Sequence, residues 1–404
     1  GSCPYVTPIV RPQDRQAWLD RQRQFKMARS AHAYVRGNTA RFYDWLTQVD
    51  TARLPSGPPV WICGDCHSGN IGPVGGISGD IEIQIRDLDQ TVIGNPAHDL
   101  IRLGLSLAMA ARGSDLPGVT TAQMLEQLVD GYEAALSADG EDEKMQPPDA
   151  IRVVMKDALK RRWKHLARER LKASKPRIRP GGRFWPILKK ERHAIDALFS
   201  TEAVRTLITR QCHRDADAQV EVLNAAFWVK GCSSLGNLRF AVLVRVGGEL
   251  DDPYCIMDIK EAVKAVCPGY ADAQMPKGHA DRVVEGARKL SPHLGERMLS
   301  AQFLDRDVFV RELFPQDLKF DLDRLTQSEA GLIAGYLGGV VGRAHGRQMD
   351  ASTRSRWRSE LSRNWSRTLE APSWLWTSVV ELVATHEVGY LTHCRKFAVE
   401  RAGS

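Results

Sequence analysis

The chain has few cysteines and no long apolar run, and each shortage excludes a class of protein. Eight cysteines in 404 residues are too sparse for the disulfide scaffold of a small secreted protein. The most apolar stretches, such as residues 103–111, are too short to cross a bilayer. The first thirty residues are polar and basic, without the apolar segment of a secretory signal. We therefore expect a reduced, cytoplasmic protein with no membrane partner.

Acidic residues are scarce in one segment in particular. Residues 156–192 contain fifteen lysines and arginines but only three acids, a net charge of +12. The whole chain carries +7, so the remainder carries −5. A local patch indicates an anionic partner more strongly than a diffuse surplus does. We rank a solvated helical face first, a site for an anionic substrate or partner second, and nucleic acid last.

Hydrophobic periodicity predicts an α+β protein with two lobes. Helical spacing dominates residues 120–210 and returns after residue 328. Residues 227–263 are instead rich in β-branched and aromatic side chains broken by glycines, as in an antiparallel unit of hairpins. We expect a mostly helical lobe from residues 1–215 and 318–404, and a smaller β-rich lobe from residues 216–317.

The turn VWICGDCHSGNIGPV concentrates polar side chains that suit two different chemistries. Cys63 and Cys66 form a C-x-x-C pair, which is typical of a thiol or metal site. Asp65, His67 and Asn70 form the pattern G-D-x-H-x-x-N, which is typical of a loop that handles phosphate and magnesium. The rest of the chain decides between these interpretations.

The thiol interpretation has the weaker support. A reactive cysteine needs a lowered thiol pKa, whereas the carboxylate of Asp65 between the two cysteines raises it. Zinc would need two further ligands, and only the distant pairs Cys212-His213 and His393-Cys394 offer them. We expect Cys63 and Cys66 to be small buried hydrophobic residues, and keep a zinc or thiol protein as an alternative.

The phosphate interpretation finds its other parts elsewhere in the chain. Phosphoryl transfer uses a carboxylate that orients the acceptor hydroxyl, oxygen ligands for magnesium and a lysine on the phosphates. Asp65 is the candidate base. Asn70 and Asp87 are candidate metal ligands, and Asp89 is either another ligand or a turn-forming carboxylate. Lys260 follows a glycine-rich turn in which four residues are expected to contact the nucleotide: Gly231, Ser233, Ser234 and Gly236.

Four further residues complete the candidate site. Glu285 lies on a predicted helix and is expected to pair with Lys260. His67, inside the catalytic turn, is expected to orient that turn rather than transfer a proton. Arg36 and Arg102 lie close in sequence to the motifs and are candidate phosphate contacts.

The motifs taken together resemble a known group of enzymes. GDCHSGN, IRDLDQT and GNPAHDLIRL are similar to the G-D-x-H-x-x-N, D-F-D and D-L core of kinase-like phosphotransferases such as the aminoglycoside phosphotransferases. The wider set, from YVRGN (34–38) to GRAHGR (342–347), resembles a bacterial family of uncharacterised proteins assigned to the protein-kinase-like clan. The joint occurrence is far more specific than any one motif.

The resemblance implies a two-lobed kinase-like fold and roles for six residues: catalytic base Asp65, magnesium ligands Asn70 and Asp87, phosphate-binding Lys260 with its partner Glu285, and Asp99, which anchors the catalytic turn through backbone hydrogen bonds. Kinases place the glycine-rich loop and lysine before the catalytic loop, whereas here they follow it. A circular permutation explains that order. Two positions depart from the family pattern: Cys63 replaces a histidine, and Ser233 replaces the middle glycine of the phosphate loop.

The expected reaction is transfer of the γ-phosphoryl group of ATP, with Mg²⁺, to a hydroxyl of an unidentified acceptor. Two alternatives stay open. The same fold could transfer AMP if the nucleotide binds in a flipped pose, or it could be a non-catalytic module that binds nucleotide and recruits an acidic partner through residues 156–192.

Overall fold

A computed structural model describes the chain over these residues: 10–28, 34, 38–137, 146–160, 178, 181, 183–211, 214–230, 236–248, 253–314, 326–363 and 372–402. Within them the helices are α1 (Arg15–Ala28), α2 (Thr39–Gln48), α3 (Pro96–Gly113), α4 (Gly118–Ala135), α5 (Asp149–Lys160), α6 (Lys189–Phe199), α7 (Glu202–Thr209), α8 (His279–Leu290), α9 (Pro292–Gly295), α10 (Gln327–Gly346), α11 (Ala351–Ser362) and α12 (Ser373–Ala402). The strands are β1 (Val60–Ile62), β2 (Ile71–Gly75), β3 (Ile81–Ile85), β4 (Val92–Gly94), β5 (Phe184–Trp185), β6 (Val220–Trp228), β7 (Arg239–Val246), β8 (Tyr254–Glu261), β9 (Met298–Phe303) and β10 (Arg306–Leu313).

The strands form one large sheet and two small ones. The large sheet is antiparallel and has the order β5-β6-β7-β8-β10-β9. The small sheets are the antiparallel pairs β1-β4 and β2-β3. With helices making up most of the remaining regular structure, the predicted α+β class is confirmed.

The two faces of the large sheet have different surroundings because side chains alternate along each strand. On β8, Met257 and Ile259 are buried in a hydrophobic cluster together with side chains of α6 and α7. Asp258 and Lys260 point to the opposite face, and both are also buried. The second face therefore carries charge close to its apolar cluster, which includes Trp228 and Leu243.

The largest hydrophobic cluster joins the helices to the small sheets. Its central contact is α4 against α10, whose backbones approach closely at glycines. A Cβ added at Gly338 would lie 2.0 Å from the carbonyl oxygen of Leu128, and one added at Gly131 would lie 2.0 Å from that of Gly335. Only glycine permits such an approach. This packing fixes where the end of α10 lies.

The hydrophobic cluster on the first face of the large sheet reaches beyond the predicted β-rich segment. It includes Leu19, Trp185 and Ile195, from the part of the chain that the sequence analysis assigned to the helical lobe. The predicted boundaries at residues 215 and 317 stay a prediction.

Candidate active site

Two loops and one strand meet at the candidate site. The first loop, residues 63–70, joins β1 to β2, and the aspartate loop, residues 86–91, joins β3 to β4. Lys260 of β8 reaches the aspartate loop, where its Nζ lies 3.4 Å from Oδ1 of Asp87 and forms an ion pair with Asp89. The structure thus brings together side chains that are 173 residues apart in the chain.

Asp65 is held by a buried arginine. Its Oδ1 accepts hydrogen bonds from Nε and Nη2 of Arg102, at 3.0 and 2.9 Å. The side chain of Arg102 is fully buried on α3 and that of Asp65 is 14% exposed. Burial raises the pKa of Asp65, and Arg102 opposes that rise. Arg102 therefore orients the candidate base, and its predicted contact with phosphate stays a prediction.

His67 lies beside the same carboxylate, with 3.9 Å between its Nε2 and Oδ2 of Asp65. The imidazole is largely buried, at 8% exposure. This distance is longer than a hydrogen bond, and the orienting role of His67 stays a prediction.

The start of the first loop is fixed by Asp99. Its Oδ2 accepts from the amide of Cys63 at 2.7 Å, and its Oδ1 accepts from the amide of Gly64 at 3.0 Å. These are the backbone hydrogen bonds that the resemblance implied for Asp99. They satisfy a carboxylate that is 1% exposed, as a buried charge requires.

Asp99 is supported by a chain of buried side chains that the sequence analysis missed. Nε2 of His345 lies 3.0 Å from Oδ2 of Asp99, and its Nδ1 lies 2.9 Å from the hydroxyl of Tyr132. The same hydroxyl accepts from the indole of Trp357 at 2.9 Å. His345 belongs to the GRAHGR segment, but nothing in that motif indicates which carboxylate it meets.

Asn70 uses its amide nitrogen in hydrogen bonds within the protein, and its side-chain oxygen stays available to a ligand. Its Nδ2 donates to the carbonyl of Asp87 at 2.7 Å and to that of Asp65 at 3.3 Å. These bonds leave Oδ1 as the atom with which Asn70 could bind a cation. The side chain of Asp87, whose backbone carbonyl accepts the shorter of these bonds, is 51% exposed. The two residues thus offer an amide oxygen and an accessible carboxylate, a donor set that suits Mg²⁺ with phosphate oxygens.

The two aspartates of the aspartate loop differ in electrostatic environment. The surrounding protein removes part of the hydration of Asp87, which acts to raise its pKa, but the charges of Lys260, Arg311 and Arg239 lower that pKa overall. Burial and the neighbouring Asp87 raise the pKa of Asp89 to about 6 against the opposing charge of Lys260. Asp87 is therefore the stronger candidate for a carboxylate that stays ionised at neutral pH.

The two loops touch where Gly64 meets Gln90. Gly64 has a φ of +76°, a conformation that side chains disfavour. A Cβ there would also lie 2.3 Å from the carbonyl oxygen of Gln90. Glycine is therefore required before Asp65 for two independent reasons, and the aspartate loop directly supports the first loop.

The sequence analysis also did not predict a cluster of buried charged side chains on the large sheet. Asp258 accepts from Arg239 at 2.8 and 2.6 Å and from Arg311 at 3.1 Å. Burial acts to raise the pKa of Asp258, but the two arginines lower it to about 2. Because Asp258 lies two residues before Lys260 on one strand, the period of two could have indicated that both share a face.

The predicted pair of Lys260 with Glu285 is not found, because Lys260 contacts Asp87 and Asp89 instead. Glu285 lies on α8 and is partly exposed, and in the described part of the chain it forms no ion pair. Gly236 has a φ of +111°, as expected of the glycine-rich turn. Several predicted residues lie outside the described residues: Arg36, Gly231, Ser233, Ser234 and most of the basic segment 156–192.

The cysteines of the first loop are free thiols and fully buried. Burial raises the pKa of the Cys63 thiol well above its usual value, which disfavours the reactive thiolate. Over the ranges that the structure describes, no three His, Cys, Asp or Glu side chains gather into a group that could hold a metal ion. A Mg²⁺ site built from Asn70 and Asp87 would instead use one amide oxygen, one carboxylate and the phosphate oxygens of the nucleotide.

Comparison with known protein families identifies a relationship that covers most of the chain. The sequence profile described as "Uncharacterized protein conserved in bacteria (DUF2252)" matches residues 15–396. Neither a curated protein nor a solved structure matches the chain. None of the helices in the described ranges has the length and apolar character needed to cross a membrane.

Proposed function

The chain belongs to the DUF2252 family of bacterial proteins, and we propose that it is a phosphotransferase with a circularly permuted, two-lobed fold of the protein-kinase-like clan. It would transfer the γ-phosphoryl group of ATP to a hydroxyl of an acceptor. The observation that carries this proposal is the contact of Lys260 with Asp87 and Asp89, next to the loop that holds Asp65 and Asn70.

The order of elements around Lys260 supports the fold assignment. A glycine-containing turn joins β6 to β7, Lys260 lies on β8, and α8 follows. Protein kinases use the same succession of glycine-rich loop, lysine-bearing third strand and helix. The loops with Asp65 and Asp87 precede this unit in the sequence but lie beside it in space, as a permuted chain would require.

Each residue has a chemical task in the proposed reaction. Asp65, fixed by Arg102, would accept the proton of the acceptor hydroxyl as that oxygen attacks, because a positioned carboxylate is a suitable base. Lys260 would bind the phosphate oxygens. Asn70 and Asp87 would hold Mg²⁺, which when bound neutralises charge that develops on the phosphates.

The first test is binding. We expect ATP together with Mg²⁺ to raise the thermal unfolding temperature of the purified protein, because a ligand that binds only the folded state stabilises it. The screen should include GTP, each nucleotide with and without Mg²⁺, and Mg²⁺ alone. Unchanged unfolding with every nucleotide would contradict the proposal.

The second test identifies the reaction. With ATP labelled at the γ- or the α-phosphate, phosphoryl transfer gives ADP and an acceptor labelled from the γ-position only. Adenylyl transfer gives pyrophosphate and an acceptor labelled from the α-position. A bacterial extract supplies acceptors, and water serves as the default acceptor in its absence. Binding without any product would favour the non-catalytic module.

The role of Asp65 is tested by Asp65→Asn. We expect ADP formation to fall by about 10²- to 10⁴-fold, the usual contribution of a general base, while affinity for MgATP stays close to that of the wild type. Asp44→Asn is a matched control, since Asp44 is exposed on α2. Equal ADP formation by both variants would remove Asp65 from the mechanism.

A further inference from the structure

Arg282 of α8 binds the backbone of three residues at once. Its Nη1 donates to the carbonyl of Thr91, and its Nη2 donates to the carbonyls of Asp89 and Val263, at 3.1 and 2.9 Å. Asp89 and Thr91 belong to the aspartate loop, whereas Val263 follows β8. One guanidinium therefore connects a helix, the loop and the segment beyond the lysine-bearing strand.

The surroundings of Arg282 make this connection rigid. Its side chain is 5% exposed and Thr91 is fully buried. One turn further along α8, a Cβ added at Gly286 would lie 2.4 Å from Cγ2 of Thr91, so the helix rests directly on the loop. A planar guanidinium with several fixed donors loses little further freedom when it binds carbonyls in such a site.

Arg282 holds the part of the aspartate loop that contacts both Lys260 and the first loop. The carboxylate of Asp89 forms the ion pair with Lys260. Gln90 lies between Asp89 and Thr91 in the sequence, and its carbonyl packs against Gly64. A displacement of this turn would therefore move Asp89 away from Lys260 and loosen the support of the first loop.

Glu285 provides no such link. It lies one turn after Arg282 on α8 but is partly exposed, and it forms no ion pair in the described ranges. The mechanical link between α8 and the candidate site therefore runs through Arg282 and the backbone of the aspartate loop.

We propose that Arg282 is a positioning residue that holds Asp87 and Asp89 in place for Mg²⁺ and Lys260, whereas the sequence had predicted only that Glu285 of the same helix pairs with Lys260. This inference rests on the proposed function for its meaning, because the aspartates bind Mg²⁺ only if that function is correct. Its structural part, that Arg282 orders residues 86–91, is independent of the function and is tested separately.

The structural part is tested by hydrogen exchange in four variants of the full chain. Arg282→Met keeps the length of the side chain but removes its donors, and Arg282→Lys restores one charged donor. Arg288→Met changes an exposed arginine of the same helix, and Glu285→Gln tests the predicted partner. We expect amides of residues 87–92 to exchange at least about tenfold faster in Arg282→Met, less so in Arg282→Lys, and as in the wild type in the other two.

The functional part is tested by ATP affinity measured with and without Mg²⁺. Loss of a group that orients metal ligands usually costs about 10- to 100-fold in metal affinity, so we expect Arg282→Met to weaken MgATP binding by that factor. Binding of ATP without Mg²⁺, which depends on Lys260, should change little. Arg282→Lys should recover part of the loss.

Distinct results overturn distinct claims. If Arg282→Met exchanges and binds like Arg288→Met, Arg282 is not a positioning residue. An equal loss of ATP affinity with and without Mg²⁺ also overturns the proposal, since that is the behaviour of a general packing defect. If the wild type binds no nucleotide, the proposed function fails, while the exchange data still decide whether Arg282 orders the aspartate loop. Should Arg282→Met not fold, Arg282→Lys carries both measurements.

Discussion

Asp99 and His345 determine, as single residues, how the candidate base is presented. Asp99 holds the amides of Cys63 and Gly64, directly before Asp65. His345 contacts the same carboxylate from the end of α10 and is itself fully buried. Each of these buried polar groups needs its hydrogen-bond partner, because a group that loses the partner cannot form a replacement hydrogen bond with water.

We predict that His345→Leu lowers the free energy of unfolding by about 1–3 kcal/mol, the cost of leaving buried polar groups without a partner. Urea denaturation gives this value. His293→Leu is a matched control, because Nε2 of His293 contacts Oδ2 of Asp80 at 2.7 Å where the aspartate is 52% exposed. A pair whose carboxylate is half exposed to water contributes below about 1 kcal/mol. Equal losses in the two variants would contradict the assigned importance of His345.

At the scale of elements, the contact between α4 and α10 positions the hydrogen-bonded side chains that support Asp99. Tyr132 comes from α4 and His345 from α10, so their hydrogen bond depends on how closely the two helices approach. Glycines set that approach, at Gly131, Gly335 and Gly338. A wider separation would displace His345 and, through Asp99, the first loop.

We predict opposite effects for two glycine substitutions on α10. Gly338→Ala places a Cβ 2.0 Å from the carbonyl oxygen of Leu128, so the helices must separate, at a cost of about 1–3 kcal/mol or more. At Gly331 a Cβ lies 3.6 Å from the nearest atom, a side-chain carbon of Gln127, and Gly331→Ala should stabilise the helix by about 0.5–1 kcal/mol. Chemical denaturation of both variants decides this, and two changes of the same sign would contradict the packing argument.

At the scale of the whole molecule, α12 packs against a helix that supports the candidate site. α12 packs against α3, the helix that carries Arg102, and contributes His386, which is 1% exposed. Burial, with the charge of Arg102, lowers the pKa of His386 to about 4. The imidazole is therefore neutral in the folded protein at neutral pH, and its protonation opposes folding.

We predict that part of the acid sensitivity of the fold comes from His386. An unfolded histidine has a pKa of about 6.5, so the unfolded state binds a proton before the folded state does as the pH falls. Stability is then lost between about pH 6.5 and pH 4, by up to about 3 kcal/mol for this group. Urea denaturation over that range should show a shallower decline for His386→Gln than for the wild type. Parallel declines would mean that His386 has the same pKa in the folded and unfolded states, and would contradict this prediction.

The sequence by itself determined the local structure and most of the residues that meet at the candidate site. The helical spacing after residue 328 is confirmed as α10 to α12, and the hairpin unit predicted over 227–263 is confirmed as β7 and β8. Periodicity and turn residues record interactions between near neighbours, so they can be read without the fold. The same motifs indicated Asp65, Asn70, Asp87 and Lys260 as parts of one site.

Only the tertiary structure decided which of those residues contact one another. Lys260 pairs with the aspartate loop rather than with Glu285, Arg102 holds Asp65, and Arg282 and His345 act from helices far away in the chain. No local pattern records these contacts, because a buried charge takes as its partner whichever group the packing of helices and sheet brings within reach. The relative position of α8, α10 and the two loops is a property of the whole core, and it selects the partners.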